Sequence, residues 1–150
     1  MSNFIIRITC EPYLAQWATH HFGNPVEFPA GSIENRLIRR FLDKEPAAVP
    51  DTSGNLLVAI PYSKEKDPRS GWTYLSPSAR KAVRESLYTL MLRNLWTELG
   101  DLAHVNCELS TLIYSWLEKH GMDDSSWETI RQKYYRLRKL YGEKGIDLLK

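Results

Sequence analysis

The chain has 150 residues, of which 43% are hydrophobic and 25% charged, and its formal net charge is +2. This length predicts one domain, or a small domain with an appended module, with enough apolar material for a core. A net charge this small does not by itself indicate nucleic-acid binding. Only a local cluster of positive residues would indicate it. The chain has no signal peptide, lipidation motif or long apolar run, which predicts a cytoplasmic protein without a membrane partner.

The two cysteines do not form a recognisable motif. Cys10 and Cys107 are far apart in the sequence and show no CxxC spacing. We therefore expect reduced thiols in the core and no disulfide framework.

The N-terminal part alternates β-rich and helical patterns. Phe4–Thr9 is apolar and β-rich, and a helix is predicted from Pro12, which fits the first helical turn, to a stop at Gly23. Three further elements are expected, a short strand at Val26–Phe28, a helix at Ile33–Asp43 and, after the linker Glu45–Asn55, a buried strand at Leu56–Tyr62. The predicted order is β-α-β-α-β with a small three-stranded sheet.

The second of these helices is amphipathic. Its predicted buried face consists of Ile33, Leu37, Ile38, Phe41 and Leu42. Its exposed face carries Arg36, Arg39 and Arg40. The arginines could bind phosphate or an acidic partner surface, but pairing with Glu34 and Asp43 is the favoured interpretation.

A basic loop and a long helix occupy the middle of the chain. The loop alternates cationic and aromatic residues, which suits a nucleic-acid backbone, although a solvated loop with compensating Lys, Glu and Asp charges is the favoured interpretation. Ser76 and Pro77 predict the start of the helix, which continues as the apolar core of the protein to Gly100. Arg80, Lys81 and Arg84 place positive charge near the positive end of its dipole, which a bound phosphate would relieve.

The stretch from Asn106 to Gly142 contains two helical patterns joined by a turn. Asn106 is the predicted N-cap of the first helix, which ends at Gly121, and Met122 is placed for the apolar contact that follows such an ending. Ser125 and Glu128 have the spacing of a capping box for the second helix.

The second helix of this stretch has one apolar and one basic face. Its apolar face is predicted to contain Trp127, Ile130, Tyr134, Leu137 and Tyr141. Elsewhere on the helix are five cations, Arg131, Lys133, Arg136, Arg138 and Lys139, against one anion, Glu128. Solvated helices usually mix the two signs, so this excess favours an anionic ligand.

The segment from about 113 to 132 resembles the helix-turn-helix unit of DNA-binding proteins. Gly121 matches the glycine of the turn, and the apolar positions around it are matched by Trp116, Met122, Trp127 and Ile130. Two positions depart from the pattern, because Leu117 replaces the usual small alanine and His120 replaces an apolar residue. The resemblance implies a second helix that enters the major groove of DNA with its N-terminal residues near base edges.

The sequence therefore predicts an α+β protein with a small N-terminal sheet, a long central helix and a C-terminal helix-turn-helix-like hairpin. The expected divisions are residues 1–62, 63–105 and 106–150, assembled as one unit. The predicted function is binding of double-stranded DNA, as a small transcriptional regulator or a mobile-element or phage-associated protein. The predicted contact residues are Thr129, Gln132, Lys133, Arg136, Arg138 and Lys139, with Arg80, Lys81 and Arg84 on phosphates.

Other functions are less well supported by the sequence. A module that docks an acidic protein partner is the alternative, and a homodimer is compatible with either function. The chain lacks GxGxxG, GxxxxGK, GxSxG, HExxH and paired-cysteine motifs, so we expect neither an enzyme nor a cofactor or metal site.

Overall fold

The computed structural model describes residues 4–44, 54–101 and 108–143, without the side chains of 101 and 141–143. Five α-helices and two strands occur in these ranges, which confirms the α+β class. They are β1 (Ile5–Ile8), α1 (Pro12–Phe22), α2 (Ile33–Phe41), β2 (Leu56–Ala59), α3 (Pro77–Asp101), α4 (Leu109–Lys119) and α5 (Trp127–Glu143). Two single turns of 3-10 helix lie at Pro68–Ser70 and Asp124–Ser126. The chain divides into two compact units between Tyr88 and Thr89, inside α3.

The sheet of the N-terminal unit has two antiparallel strands. Ile5 pairs with Ala59 and Ile8 with Leu56, so the register leaves no bulge. Ile6, Ile8, Leu56 and Val58 are buried beneath it. Both strands were predicted, and each is shorter than its apolar run because only four residues of each make the ladder.

The expected third strand at Val26–Phe28 does not form, so the prediction of a three-stranded sheet is wrong for the described residues. Val26 makes a single parallel bridge with Val58, in which its N–H donates to the carbonyl of Leu57 at 2.8 Å. The chain then turns towards α2, because the carbonyl of Phe28 accepts a hydrogen bond from Asn35 Nδ2 at 3.2 Å. Pairing with β2 therefore ends after one residue.

The start of α2 agrees with the sequence, but its buried face does not. Ser32 caps the helix by accepting a hydrogen bond from the N–H of Asn35 at 3.2 Å. Ile33 and Phe41 are 61% and 47% exposed, whereas Glu34 and Asn35 are buried. Glu34 can be buried because its Oε1 accepts a hydrogen bond from Ser86 Oγ on α3 at 3.1 Å, not from an arginine.

The basic loop before α3 uses much of its charge internally. The Lys66 ammonium donates to the carbonyls of Arg40 and Leu42, at 2.8 and 2.9 Å, and so satisfies the C-terminal end of α2. The same ammonium lies 5.5 Å from the centre of the Trp72 ring. Arg69 pairs with Asp67 at 2.9 Å. These contacts account for part of the alternating cations and aromatics as local structure.

The long helix α3 begins and continues as predicted. Ser76 Oγ accepts a hydrogen bond from the N–H of Ala79 at 3.2 Å, and Pro77 is the first helical residue. Buried side chains then recur at every fourth position, namely Ala79, Val83, Leu87, Met91, Leu95 and Leu99. No helix within the described ranges, α3 included, combines the length and apolarity needed to cross a bilayer.

The C-terminal unit contains the predicted pair of helices, α4 and α5. Gly121 takes a φ of +65°, and the N–H of Met122 donates to the carbonyl of Leu117 at 2.9 Å, which confirms the predicted ending of α4. The predicted capping box is wrong. Asp123 Oδ1 accepts a hydrogen bond from the N–H of Ser125 at 2.9 Å, so the aspartate caps the 3-10 turn before α5. The predicted N-cap of α4 is also wrong, because the helix begins at Leu109 with Glu108 at the N-cap position and without a side-chain cap; Asn106 itself lies outside the described residues.

Cys10 is buried directly after β1. Burial, with a further contribution from the neighbouring Glu11 charge, raises the pKa of its thiol to about 11. It is a free thiol, as expected, while Cys107 lies outside the described residues. A thiol with this pKa is inert at neutral pH.

Candidate nucleic-acid interface

The outer face of α5 presents a row of polar and cationic side chains. Thr129, Gln132, Arg136 and Lys139 follow one another at spacings of three, four and three residues, and all four are exposed. This spacing keeps them on one side of the helix at 100° per residue. The row spans about 15 Å along the axis at 1.5 Å per residue. We call these four residues the α5 outer row.

The charges on α5 differ in whether they have partners. Arg131 pairs with Glu128 at 3.3 Å and lies 5.6 and 5.0 Å from the ring centres of Trp127 and Tyr135. Its positive charge is therefore largely engaged within the helix. Arg136 and Lys139, in contrast, make no hydrogen bond or ion pair within the part of the chain that the structure describes. The helix consequently leaves positive charge open to solvent.

The other predicted contact residues on α5 flank the outer row. Arg138 is exposed but lies to one side of the row, about 100° around the helix from the buried Leu137. Lys133 is half-buried on the other side of the row. Only part of the predicted set therefore forms one continuous surface.

Trp127 anchors the beginning of α5 to α4. Its indole N–H donates to the carbonyl of Ser110 at 3.3 Å, and its ring stacks on Tyr114 with centroids 5.4 Å apart. Ile130 and Ile113 are fully buried beneath this contact. These apolar residues hold the N-terminal half of α5 against α4.

His120 occupies a buried polar position at the end of α4. It is 3% exposed, and its Nε2 lies 3.0 Å from Oε1 of Glu98 on α3. The same carboxylate accepts hydrogen bonds from Lys119 and from Asn94, both at 2.6 Å. A polar residue is tolerated at this position because it has a charged partner.

The pKa of Glu98 reflects this environment. Burial opposes ionisation of its carboxyl group, but hydrogen bonds from Lys119 and Asn94 and the positive charge near His120 and Lys119 outweigh burial and lower the pKa. The sequence could not reveal the pair, because Glu98 and His120 are 22 residues apart and form no motif. Only the departure of His120 from the apolar pattern signalled an unusual site.

We find no similarity between this chain and a known protein family, a curated protein or a solved structure.

The second predicted cationic group consists of Arg80, Lys81 and Arg84. It belongs to the N-terminal unit, whereas α5 belongs to the C-terminal unit. Arg80 donates from Nε to the carbonyl of Leu75 at 2.8 Å, and Arg84 lies 3.6 Å from Glu11. Lys81 lies 4.0 Å from Glu85, one helical turn further along α3. Each of the three cations thus has a partner within the protein, which reduces the positive charge that it offers to a phosphate.

The described residues contain no group of three or more histidine, cysteine, aspartate or glutamate side chains that could hold a metal ion. The candidate interface itself presents a hydroxyl, an amide and two cations, on Thr129, Gln132, Arg136 and Lys139. Such groups bind phosphates and base edges.

Proposed function

We propose that this protein binds double-stranded DNA through the outer face of α5, in the role of a small DNA-binding regulator. The observation that carries the proposal is the exposed positive charge of Arg136 and Lys139, which has no anionic partner in the described ranges. Phosphates supply the missing negative charge, and release of their counterions makes the binding favourable.

The polar members of the outer row suit the same ligand. Gln132 can offer an amide to the edge of adenine, and Thr129 can offer a hydroxyl or methyl group to a base. Both lie in the first half of α5, which in helix-turn-helix proteins is the part nearest the bases. Arg136 and Lys139 follow in the second half, where phosphate contacts fix the position of a helix in the groove. The order of side chains along α5 therefore fits this mode of docking.

Fluorescence anisotropy of a labelled duplex, titrated at two salt concentrations, tests the proposal. We expect salt-sensitive binding by the wild type. The Arg136→Ala/Lys139→Ala variant should bind more weakly, and the slope of log affinity against log salt should become shallower by about two, since each lost phosphate contact removes about 0.9. Far-UV circular dichroism of the variant should remain that of the wild type, because both side chains are exposed.

The matched control is Arg36→Ala/Arg40→Ala. It removes two exposed arginines from α2 and so lowers the net charge by the same amount without altering α5. Wild-type affinity is expected for this control. Absence of duplex binding by the wild type at low salt, or equal losses in the two double variants, would rule the proposal out.

Docking of an acidic protein segment is the second candidate function. It is favoured by Tyr135 and Leu140, which are exposed on α5 beside the cations and add apolar area of the kind found in protein interfaces. This function predicts that a labelled acidic peptide containing apolar residues binds, and that Leu140→Ala weakens its binding. DNA binding should be insensitive to that substitution if the first proposal is correct.

A further inference from the structure

The solvent side of α2 carries a row of apolar side chains. Ile33, Leu37 and Phe41 follow one another at four-residue intervals, and Ile33 and Phe41 are exposed while Leu37 is half-buried. This spacing places them along one nearly straight ridge, about 12 Å long at 1.5 Å per residue. The helix turns a different side, with Ile38 and Leu42, into the core of the N-terminal unit. The ridge therefore leaves apolar surface in water beside a core that is already formed.

A row of cations runs beside the apolar row. Arg36 and Arg40 are exposed, and each follows a residue of the apolar row by three positions, so the two rows lie about 60° apart around the helix. Neither guanidinium makes a hydrogen bond or ion pair with another residue of the described ranges. The carboxylates expected to pair with them form other contacts, since Glu34 binds a hydroxyl of α3 and Asp43 accepts the next backbone N–H at 2.8 Å.

Arg40 connects the two rows. Its guanidinium carbon lies 5.7 Å from the centre of the Phe41 ring, within the range of a cation–π contact. A guanidinium that covers a ring with its flat face keeps the N–H groups at its edge available to a carboxylate. A partner can therefore pair with Arg40 and pack an apolar group beside Phe41 at the same time.

We propose that this face of α2 docks an acidic amphipathic helix of a partner protein. The face consists of Ile33, Arg36, Leu37, Arg40 and Phe41, and we call it the α2 docking face. The partner helix carries apolar side chains at four-residue intervals, which pack along the apolar row, and aspartate or glutamate beside them, which pair with the two arginines. Apolar contact supplies most of the affinity, and the charges select the partner and fix its orientation.

The placement of the arginines favours a helix over other anionic partners. Arg40 lies about 160° around α2 from the fully buried Ile38, so the position that points farthest from the core holds a cation. Membrane-surface helices insert their apolar side chains deepest, which would here carry Arg40 into the lipid first. A nucleic-acid backbone would pair with the arginines but leave Ile33 and Phe41 in water. An acidic amphipathic helix uses both rows.

The α2 docking face belongs to the N-terminal unit, whereas α5 belongs to the C-terminal unit. The proposal therefore does not depend on DNA binding by α5, and its test contains no DNA. Variants of α5 serve as its controls, because they show whether an acidic peptide binds that helix instead.

Selection from a phage-displayed library, with the immobilised full chain as bait, tests the chemistry of the partner. Each member is a helix of about 20 residues, long enough to form in isolation, with leucine at every fourth position and random residues beside the leucines. We expect aspartate and glutamate to be enriched over lysine and arginine at the random positions. Failure to enrich any binder, or enrichment without a preference for acidic residues, would overturn the proposal.

Fluorescence anisotropy with the strongest selected peptide locates the binding site. Phe41→Ala should weaken binding by at least about tenfold, because it removes the largest apolar contact. Arg36→Gln/Arg40→Gln should weaken it by about tenfold at low salt and less at high salt, since surface ion pairs are screened. All three side chains are exposed, so the circular dichroism of both variants should match that of the wild type.

The matched controls are Leu140→Ala and Arg136→Gln/Lys139→Gln, which remove an exposed apolar residue and two exposed cations from α5. Both should bind the peptide with wild-type affinity. Equal losses in the α2 and α5 variants would overturn the proposal. So would equal affinity for a peptide of the same composition in scrambled order, or displacement of the peptide by vesicles of phosphatidylserine and phosphatidylcholine, which would assign the face to a lipid surface.

Discussion

Gly54 shows how a single residue controls the approach of the chain to β1. It takes a φ of +133°, and a Cβ atom at this position would lie 2.9 Å from backbone and side-chain atoms of Arg7 and from the backbone nitrogen of Ile8. The next residue explains why the chain comes so close. Asn55 accepts a hydrogen bond from the N–H of Cys10 and donates one to its carbonyl, both at 2.9 Å. Its side chain thus continues the pairing of β1 beyond the ladder.

Gly54→Ala should therefore lower the free energy of unfolding by at least about 2 kcal/mol, since it combines backbone strain with a clash against backbone atoms. Urea denaturation followed by circular dichroism measures the change. The control is Gly31→Ala, because a Cβ there meets no atom within 4 Å and its φ is not positive. A loss in Gly31→Ala as large as that in Gly54→Ala would contradict the explanation.

At the scale of elements, local signals in the sequence predicted helix ends better than buried faces. Gly121 and Ser76 mark helix boundaries through their own backbone or side chain, and both act as expected. The buried face of α2 was predicted incorrectly because Asn35 and Glu34 find partners at Phe28 and Ser86. Phe28 is seven residues from Asn35, and Ser86 is 52 residues from Glu34. Helical periodicity cannot predict such contacts.

The candidate nucleic-acid interface likewise combines features that depend on local sequence with features that depend on tertiary packing. The positions of the α5 outer row follow from helical periodicity, so their common exposed face could be predicted. The partners that distinguish Arg131 from Arg136 could be anticipated only in part. The Glu128 contact is local, whereas the hydrogen bond that the Glu98 carboxylate accepts from His120 depends on tertiary packing.

The link between α3 and the end of α4 should make the C-terminal unit sensitive to acid. The native pKa of Glu98 lies below its ordinary value of 4.5, so its ionised form stabilises the fold. This contribution is complete above about pH 4.5 and is lost as the pH falls through the lowered native pKa. Glu98→Gln should lower the free energy of unfolding by about 2 kcal/mol at pH 7, with a difference that shrinks in acid.

Urea midpoints of wild type and Glu98→Gln, measured from pH 7 down to about pH 3, test this dependence. Glu85→Gln is the control on the same helix. Glu85 is exposed, and its only ion pair among the described residues is a weak one, with Oε1 4.0 Å from Lys81 Nζ. It should change stability by less than about 0.5 kcal/mol. A difference between wild type and Glu98→Gln that stays constant over the whole pH range would show that ionisation of Glu98 is not its cause.

At the scale of the whole molecule, the distribution of charge matters more than its sum. The chain has 20 lysines and arginines against 18 aspartates and glutamates, a difference of +2. Long-range attraction of a polyanion is therefore weak, and affinity must come from cations without internal partners. Arg136 and Lys139 meet this condition in the described ranges, whereas Lys81 and Arg84 lie near Glu85 and Glu11.

A comparison of two double variants separates these groups. Lys81→Gln/Arg84→Gln and Arg136→Gln/Lys139→Gln each remove two cations and bring the formal net charge from +2 to zero. If total charge governed DNA binding, the two variants would lose affinity equally. We expect the α5 variant to lose at least about tenfold more affinity near physiological salt, because the charges removed from α3 are already partly neutralised. Equal salt slopes for the two variants would place α3 and α5 on the DNA together and would restore Lys81 and Arg84 as phosphate contacts.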